Sequence, residues 1–240
     1  MFSGQVGFEP SPQTQLPDAP KNSSGFRATV SLGQDPLKAK VLHLRLLQPS
    51  DAEELFALVE TNRTYLKQWL SWLDTTQTLD DMRHFIRQTQ ARVRDRQGFA
   101  AAILYNEQIV GTAGLNEINW SDRQSSIGYW IAQNQQGKGL ITTACKAILH
   151  HAFTHLELNR VAILCATGNH RSQAIPKRLG FVHEGTLREA QWLYNHFVNH
   201  EIYAILRRDW KRQNHSSPPD FLPDLRPDLS PKPQPDLQPD

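Results

Sequence analysis

The 240-residue sequence has little cysteine and no long apolar run. Its two cysteines, Cys145 and Cys165, are too few for the disulfide framework of a small secreted protein, and both fit buried apolar positions. No segment reaches the roughly 20 consecutive apolar residues that a membrane helix needs, and the first residues lack the pattern of a secretory signal. These absences predict a soluble cytoplasmic protein with no membrane contact.

The sequence also has little that indicates a metal site or a nucleic-acid surface. His150, His151 and His155 share one helical segment, but no matching ligand cluster stands nearby, so no metal site is expected. The 26 basic and 24 acidic residues nearly balance, and no basic run carries interleaved aromatic residues. We therefore expect no direct binding of nucleic acid, whereas the small positive excess suits an anionic cofactor.

Both ends of the chain have compositions that disfavour a packed core. Residues 1–40 are rich in Gly, Pro, Ser and Gln without periodicity, and residues 215–240 repeat Pro-Asp-Leu. Such segments bury too little apolar surface to offset their chain entropy, so both are predicted to be disordered. Residues 41–214 have the usual size of one globular domain. The acidic tail can also be a partner motif, although a solvated tail is the simpler interpretation.

Apolar periodicity within the domain predicts an α/β fold. A first strand spans about 41–47, a helix begins after Ser50, a second helical patch covers 65–73, and Thr78 caps a third helix. Further strands and helices follow, and two closing strands flank Asn195. The predicted order, β-α-α-α-β-β-β-α-β-α-β-β, indicates a single domain with a mixed sheet.

A short glycine loop at residues 136–143, QGKGLITT, follows an alternating strand at 127–132 and opens an amphipathic helix. The first turn of a helix presents unpaired N–H groups and a positive dipole end, and glycines let a phosphate approach the backbone. Lys138 is followed by Gly139 rather than Ser or Thr, which argues against a Walker loop, and a dinucleotide fingerprint would need a third glycine. The loop therefore predicts a pyrophosphate site without nucleotide hydrolysis or hydride transfer.

A second constellation occupies residues 169–181, NHRSQAIPKRLGF. It follows a β-rich run at 161–166, and Asn169 is a suitable cap for a short helix that ends near Gly180.

Together the two segments resemble the signature of the GNAT acetyltransferases, which use acetyl-coenzyme A. The family's loop, Gln/Arg-x-x-Gly-x-Gly/Ala, is matched by Gln136 and Gly139, with Ile141 at the last position, and its Asn-x-x-Ser pattern by Asn169 and Ser172. Further matches at 184–188 and 194–206 are similar to the Rim-type branch, which acetylates the N-termini of ribosomal proteins. The resemblance implies a mixed, mostly antiparallel sheet flanked by helices.

The resemblance also implies which residues bind acetyl-coenzyme A. Backbone N–H groups at the end of the strand, at Ile131 and Ala132, would hold the acetyl oxygen and pantetheine. The remaining implied contacts are Gln136, Gly137, Lys138, Gly139, Leu140, Ile141, Thr142, Asn169 and Ser172. Lys138 is either a phosphate partner or a solvated loop lysine, and both interpretations stay open.

For catalysis, the resemblance points to Ser172 as the proton donor to the leaving thiolate. Many family members use a tyrosine four residues after this serine, but here Pro176 stands at that position. The Rim-type branch resembles this chain in lacking the tyrosine. The alternative is that Ser172 only binds the backbone of its helix, which serine often does.

The general base is less clear, because Gln191 stands where the Rim-type pattern often has a glutamate, and an amide takes up no proton. Glu117, near a strand end, is the predicted substitute, with Glu189 and His196 as weaker candidates; an exposed Glu117 without a role is equally open. An α-amine, with a pKa of about 7.7 to 8.0, needs a base less than lysine at about 10.4 does.

These features predict direct acetyl transfer to a protein N-terminal α-amine, for example that of a ribosomal protein, in a ternary complex. A homodimer is an allowed assembly. The alternatives are a small-amine acetyltransferase, acting on an antibiotic or polyamine, and a non-catalytic acetyl-coenzyme A sensor. Four tryptophans are candidates for the acceptor groove, although core packing explains them equally well: Trp69, Trp72, Trp120 and Trp192.

Overall fold

The computed structural model describes residues 26–32 and 40–214, which form one eight-stranded sheet and five α-helices. The strands are β1 (Arg27–Leu32), β2 (Lys40–Leu46), β3 (Phe99–Tyr105), β4 (Gln108–Leu115), β5 (Gln124–Ile131), β6 (Arg160–Ala166), β7 (Val182–Leu193) and β8 (His196–Leu206). The helices are α1 (Ala52–Leu66), α2 (Leu79–Arg94), α3 (Leu140–Thr154), α4 (His170–Arg178) and α5 (Arg207–Asn214). The strand order is β1-β2-β3-β4-β5-β6-β8-β7.

The sheet is antiparallel except at its centre, where β5 and β6 run parallel. These two strands pair only at their beginnings, over residues 124–126 and 160–162, and then diverge. The sheet therefore opens a gap between the carboxyl-terminal halves of β5 and β6. The predicted mixed, mostly antiparallel sheet flanked by helices is confirmed.

Two apolar layers cover the sheet. On one face α3 packs its buried stripe, including Ala144 and Ile148, in the same core as Ile127 and Ile131 of β5. On the other face α1 and α2 form a second core, and Trp130 of β5 packs against it. Because successive strand residues point to opposite faces, β5 presents side chains to both layers at the edge of the gap.

The structure corrects the expected N-terminal disorder in part. Residues 27–32 lie inside the segment 1–40 that was predicted to be disordered, but they form β1, which pairs with β2 along its whole length. Phe26 is buried and its ring lies 4.6 Å from the ring of Phe99, so a local apolar contact anchors the strand. The prediction for residues 1–25, 33–39 and 215–240 falls outside the described residues.

Two helical predictions also differ from the structure. The patch at 65–73 is the end of α1 followed by a 3-10 turn, Ser71–Thr75, and the closing helix α5 was not predicted. The cap of α2 is confirmed, because the Thr78 side chain accepts a hydrogen bond from the backbone N–H of Asp81 at 3.2 Å.

A buried ion pair joins β2 to the turn before α1. The Arg45 guanidinium contacts both oxygens of Asp51, at 2.6 and 2.8 Å, and the backbone N–H of Gln48 donates to the same carboxylate at 2.8 Å. Asp51 is buried, and the Arg45 side chain is only 23% exposed.

We expect Asp51→Ala to lower the free energy of unfolding by about 2 to 3 kcal/mol, because it leaves the Arg45 charge and a backbone donor unpaired in a largely dry site. Urea unfolding measures this loss. Asp80→Ala is the matched control, since Asp80 pairs with Arg83 at 3.0 Å on the surface and should cost less than about 0.5 kcal/mol. Equal losses for the two variants would contradict this account.

Candidate active site

The gap between β5 and β6 opens into a cleft of about 1000 Å³. Its walls are the end of α1, the last residues of β5, the glycine loop with the first turn of α3, and α4. Among the described residues that line it, none is an aspartate or glutamate, whereas Arg171 and Arg178 are both present. The cleft is therefore suited to an anionic ligand.

The glycine loop turns through two left-handed residues before α3 begins. Gly137 has φ +74° and Gly139 has φ +76°, and a Cβ added at either would meet nothing within 4 Å. Gly139 is the N-cap residue of α3. Both glycines line the cleft, so the backbone is open to a ligand at the helix N-terminus.

Six consecutive backbone N–H groups of this loop make no hydrogen bond to a described residue. They belong to Gly137, Lys138, Gly139, Leu140, Ile141 and Thr142. The run is bounded by Gln136, whose N–H donates to the Gln133 carbonyl at 3.3 Å, and by Thr143, whose N–H donates to the Gly139 carbonyl at 3.0 Å. Unpaired donors at the positive end of a helix dipole form an anion site.

The side chains beside the loop have distinct positions. The Lys138 ammonium donates to the Gln135 side-chain oxygen at 2.6 Å and is exposed, and Lys138 does not line the cleft. This geometry favours the solvated-lysine interpretation. The Gln136 amide instead accepts from Arg171 of α4 and donates to the Tyr65 hydroxyl of α1, so it joins two walls of the cleft.

Of the two backbone donors predicted at the end of β5, Ile131 faces the gap and Ala132 does not. The Ala132 N–H donates to the Val110 carbonyl of β4 at 2.8 Å, and Ala132 is buried outside the cleft lining, so its amide is already used. Along a strand of an antiparallel ladder, successive backbone N–H groups point alternately toward the partner strand and away from it. The amides of Tyr129 and Ile131 therefore face the gap rather than β4, and both residues line the cleft.

Ser172 lies at the start of α4 with its hydroxyl among polar neighbours. Asn169 caps the helix as predicted, and its side-chain oxygen accepts from the Ser172 N–H at 3.1 Å. The Ser172 Oγ lies 3.0 Å from the Tyr129 hydroxyl and 3.2 Å from the Cys165 Sγ. The Ser172 Oγ bonds no backbone group among the described residues. The structure therefore gives no support to the alternative that Ser172 only binds the backbone of its helix.

Burial keeps both neighbours of Ser172 protonated. It raises the pKa of the Tyr129 hydroxyl well above its usual value, and it also raises the pKa of the Cys165 thiol. The Tyr129 hydroxyl also donates to the Ser172 carbonyl at 3.2 Å, and in its contact with the Ser172 Oγ, as in that of the Cys165 thiol, either atom can be the donor. Because Ser172 and Tyr129 line the cleft, the hydroxyl hydrogens of this cluster can be directed to a ligand there.

Sequence reasoning missed the role of Tyr129. It placed Tyr129 on the same strand face as Ile127 and Ile131, which is correct for the packing. The available signal was that this face of the sheet meets the helix carrying Ser172. A tyrosine hydroxyl on that face needs a hydrogen-bond partner when it is buried.

The structure does not bring Glu117 into the cleft. Leu115 at the end of β4 pairs with Ile127, and the Glu117 carbonyl accepts from Ser125 at 3.2 Å, so Glu117 lies exposed beside the start of β5. Ser125 is six residues before Ile131, which is about 20 Å along a strand. The expected base Glu117 is therefore separated from Ser172. A residue at the end of a strand can be recognised from sequence, but which end of the neighbouring strand it lies beside cannot.

The weaker base candidates also lie outside the cleft lining. Glu189 is exposed on β7, and His196 is exposed at the turn of the β7–β8 hairpin, with its ring bonded to Asn195 at 2.8 Å.

Of the four tryptophans proposed for the acceptor groove, Trp69 alone lines the cleft. Trp72 packs against Trp130, at 6.2 Å between ring centroids, and Trp120 donates to the Arg96 carbonyl at 2.8 Å. Trp192 meets Phe197 edge to face on the exposed hairpin, with 4.8 Å between the ring centroids.

Comparison with known proteins agrees with this geometry. Residues 42–182 match the acetyltransferase (GNAT) domain family. The chain belongs to the GNAT acetyltransferases. It is 39% identical to YdaF of Bacillus subtilis, a candidate ribosomal N-acetyltransferase, over 171 residues that are 70% of this chain and 92% of that protein. It is 30% identical to the ribosomal-protein-serine acetyltransferase of Escherichia coli, over 68% of this chain and 91% of that protein.

Among solved structures, this GNAT chain resembles the microcin C7 self-immunity acetyltransferase MccE in complex with acetyl-CoA and AMP. The TM-score is 0.65 at 28% identity, over 69% of this chain and 92% of that one. The GNAT chain has no group of three or more His, Cys, Asp or Glu suited to a metal within residues 26–32 and 40–214. In the same ranges no helix combines the length and apolar character needed to cross a membrane.

Proposed function

We propose that this GNAT enzyme transfers the acetyl group of acetyl-coenzyme A to the α-amine of a protein or peptide N-terminus, of the ribosomal-protein type. The observation that carries the proposal is the run of six amides, residues 137–142, that make no hydrogen bond within the described part of the chain and lie at the cleft that holds the Ser172 hydroxyl. The names of the two curated relatives support the ribosomal-protein class of acceptor.

The cleft residues fit each part of the cofactor. The loop amides would bind the diphosphate, and Arg171 and Arg178 add positive charge beside it. The amides of Tyr129 and Ile131 would bind the pantetheine arm and the acetyl oxygen in the gap of the sheet. Ala132 has no place in this set, because its N–H is already paired within the sheet.

The chemistry supplied by the bound thioester is an acetyl carbon open to attack by an amine. As the C–N bond forms and the C–S bond breaks, the Ser172 hydroxyl donates its proton to the departing sulfur. Tyr129 and Cys165 hold Ser172 in this orientation. The amine loses one proton to solvent, and Ser172 recovers one from solvent through the cleft.

The cleft lining favours an α-amine as the acceptor. Within residues 26–32 and 40–214 no carboxylate lines it, so these residues provide no strong base to deprotonate a lysine ammonium. An α-amine with a pKa of about 7.7 to 8.0 is partly neutral at pH 7.5, whereas lysine at about 10.4 is almost wholly charged.

We therefore expect kcat/KM at pH 7.5 to be at least about 100-fold higher for a peptide with a free N-terminus than for the same peptide with a blocked N-terminus and one lysine. The rate with the α-amine peptide should rise with pH up to about 8. Coenzyme A release, followed with a thiol reagent, measures both. Comparable turnover of the two peptides would contradict an α-amine preference.

A second candidate acceptor is a small amine, because the MccE structure to which the chain is similar contains acetyl-CoA and AMP. Against a polyamine, the cleft lining has two arginines and no carboxylate. The same release assay with a polyamine and an aminonucleotide separates the two acceptors. Tight binding of acetyl-coenzyme A without release for any amine would indicate the sensor. Homodimer formation, cytoplasmic location and the lack of nucleic-acid binding stay predictions from the sequence.

A further inference from the structure

Gln191 makes two hydrogen bonds that connect it to a histidine. Its side-chain oxygen lies 2.9 Å from the Nε2 of His200, and its amide nitrogen donates to the Ser71 hydroxyl at 3.1 Å. The residue that takes up no proton is therefore bonded to one that can.

His200 belongs to β8 and lies beside the end of β6, on the face of the sheet opposite to Ser172. In the β6–β8 ladder it pairs with Ala166, while the preceding pair is Cys165 with Glu201. Cys165 contacts Ser172 on the α4 side. Because successive residues point to opposite faces, Ala166 and His200 face the α1 side. Ser172 and His200 therefore lie beside the carboxyl end of β6, on opposite faces of the sheet.

His200 and Gln191 lie outside the lining of the cleft, and the contacts of Gln191 connect them to its wall. Ser71 follows Leu70, which lines the cleft, and the Leu70 carbonyl accepts from the Tyr194 hydroxyl at 2.5 Å. The turn after α1 and the β7–β8 hairpin are therefore held together on this side.

His200 has the protonation state of a base. Burial lowers the pKa of its imidazole below the usual value of about 6.5, and no charged group contributes to that shift. Its neighbours on the same sheet face are apolar or amide residues: Ala166, Leu187, Gln191, Val198 and Ile202. The nearest carboxylate along β8, Glu201, is on the other face, bonded to His183 and Thr186.

The hydrogen-bond pattern sets which nitrogen is free. The Gln191 oxygen accepts, so the His200 Nε2 carries a hydrogen and donates it. The Nδ1 then holds the lone pair, and it bonds no residue in the described ranges.

We propose that His200 is the catalytic proton acceptor for the incoming amine, held in place by Gln191; this rests on the proposed function. As the amine nitrogen bonds to the acetyl carbon and the C–S bond breaks, the proton that the nitrogen loses passes through one water molecule to the Nδ1 of His200. Ser172 gives its proton to the sulfur. The imidazolium, stabilised by the Gln191 oxygen, then releases its proton to solvent, since His200 is only half-buried.

The test uses the full chain with acetyl-coenzyme A and an α-amine peptide. We expect His200→Gln to lower kcat about 100-fold and to leave the Kd of acetyl-coenzyme A unchanged by calorimetry. Wild-type kcat should fall as pH drops through the lowered pKa of His200, and this acidic limb should vanish in the variant. His196→Gln on the same hairpin is the matched control, with wild-type kcat and pH profile.

A carboxylate should rescue the variant. Adding Gln191→Glu to His200→Gln places an acceptor on the neighbouring side chain, and we expect it to recover at least about 10-fold in kcat. An active wild type whose kcat and pH profile are untouched by His200→Gln would overturn the role of His200 alone. A wild type that binds acetyl-coenzyme A but releases none with any amine would overturn the proposed function itself.

Discussion

Ser172→Ala is expected to lower kcat by about 100- to 1000-fold while the Kd of acetyl-coenzyme A changes by no more than a few-fold. The hydroxyl lies in the cleft, where its contacts with the protonated Tyr129 and Cys165 position it to donate to the departing sulfur. A thiolate whose pKa is about 8.5 leaves poorly without such a donor. Coenzyme A release under saturating substrates measures kcat, and calorimetry measures Kd.

Two further variants locate the effect. Tyr129→Phe keeps the ring and removes the bond to Ser172, so kcat should fall by about 10-fold through loss of orientation. Ser126→Ala is the matched control, because Ser126 is on the same strand as Tyr129 but bonds Asn116 outside the cleft. If Ser172→Ala kept full kcat and lost affinity, the serine would bind the cofactor rather than donate a proton.

Gly139→Val is expected to weaken acetyl-coenzyme A binding by at least about 100-fold, because its side chain would stand where the diphosphate approaches the loop amides. The structure separates this effect from a clash within the protein, since a Cβ at Gly139 meets nothing within 4 Å. The positive φ of +76° adds backbone strain of about 1 to 3 kcal/mol, which urea unfolding measures independently.

Gly185→Val is the control for strain. Gly185 has φ +145° and also has no atom within 4 Å of an added Cβ, but it lies on β7 outside the cleft lining. It should lose stability without losing affinity. Equal affinity losses for the two variants, measured by calorimetry on folded protein, would show that strain rather than ligand approach explains Gly139.

The local parts of the site could be predicted from the sequence. A glycine pair between an alternating strand and an amphipathic helix fixes where unpaired amides occur, and Asn169 three residues before Ser172 is a cap by chemistry alone. Strands β3 and β6 follow from their apolar runs. These features depend on neighbours within a few residues.

The remaining parts depend on contacts between distant segments. Tyr129 meets Ser172 across 43 residues, and Gln191 meets Ser71 across 120. Glu117 was placed at a strand end correctly, but the antiparallel register puts that end beside the start of β5. The strand β1 was hidden by the Gly- and Pro-rich composition around it, because its stability comes from pairing with β2.

A crystal structure of the chain with acetyl-coenzyme A tests the central claim most directly. The account predicts diphosphate oxygens at about 3 Å from backbone nitrogens within residues 137–142, with the thioester sulfur in hydrogen-bond reach of the Ser172 hydroxyl. A diphosphate bound elsewhere, with these six amides unengaged, would contradict it.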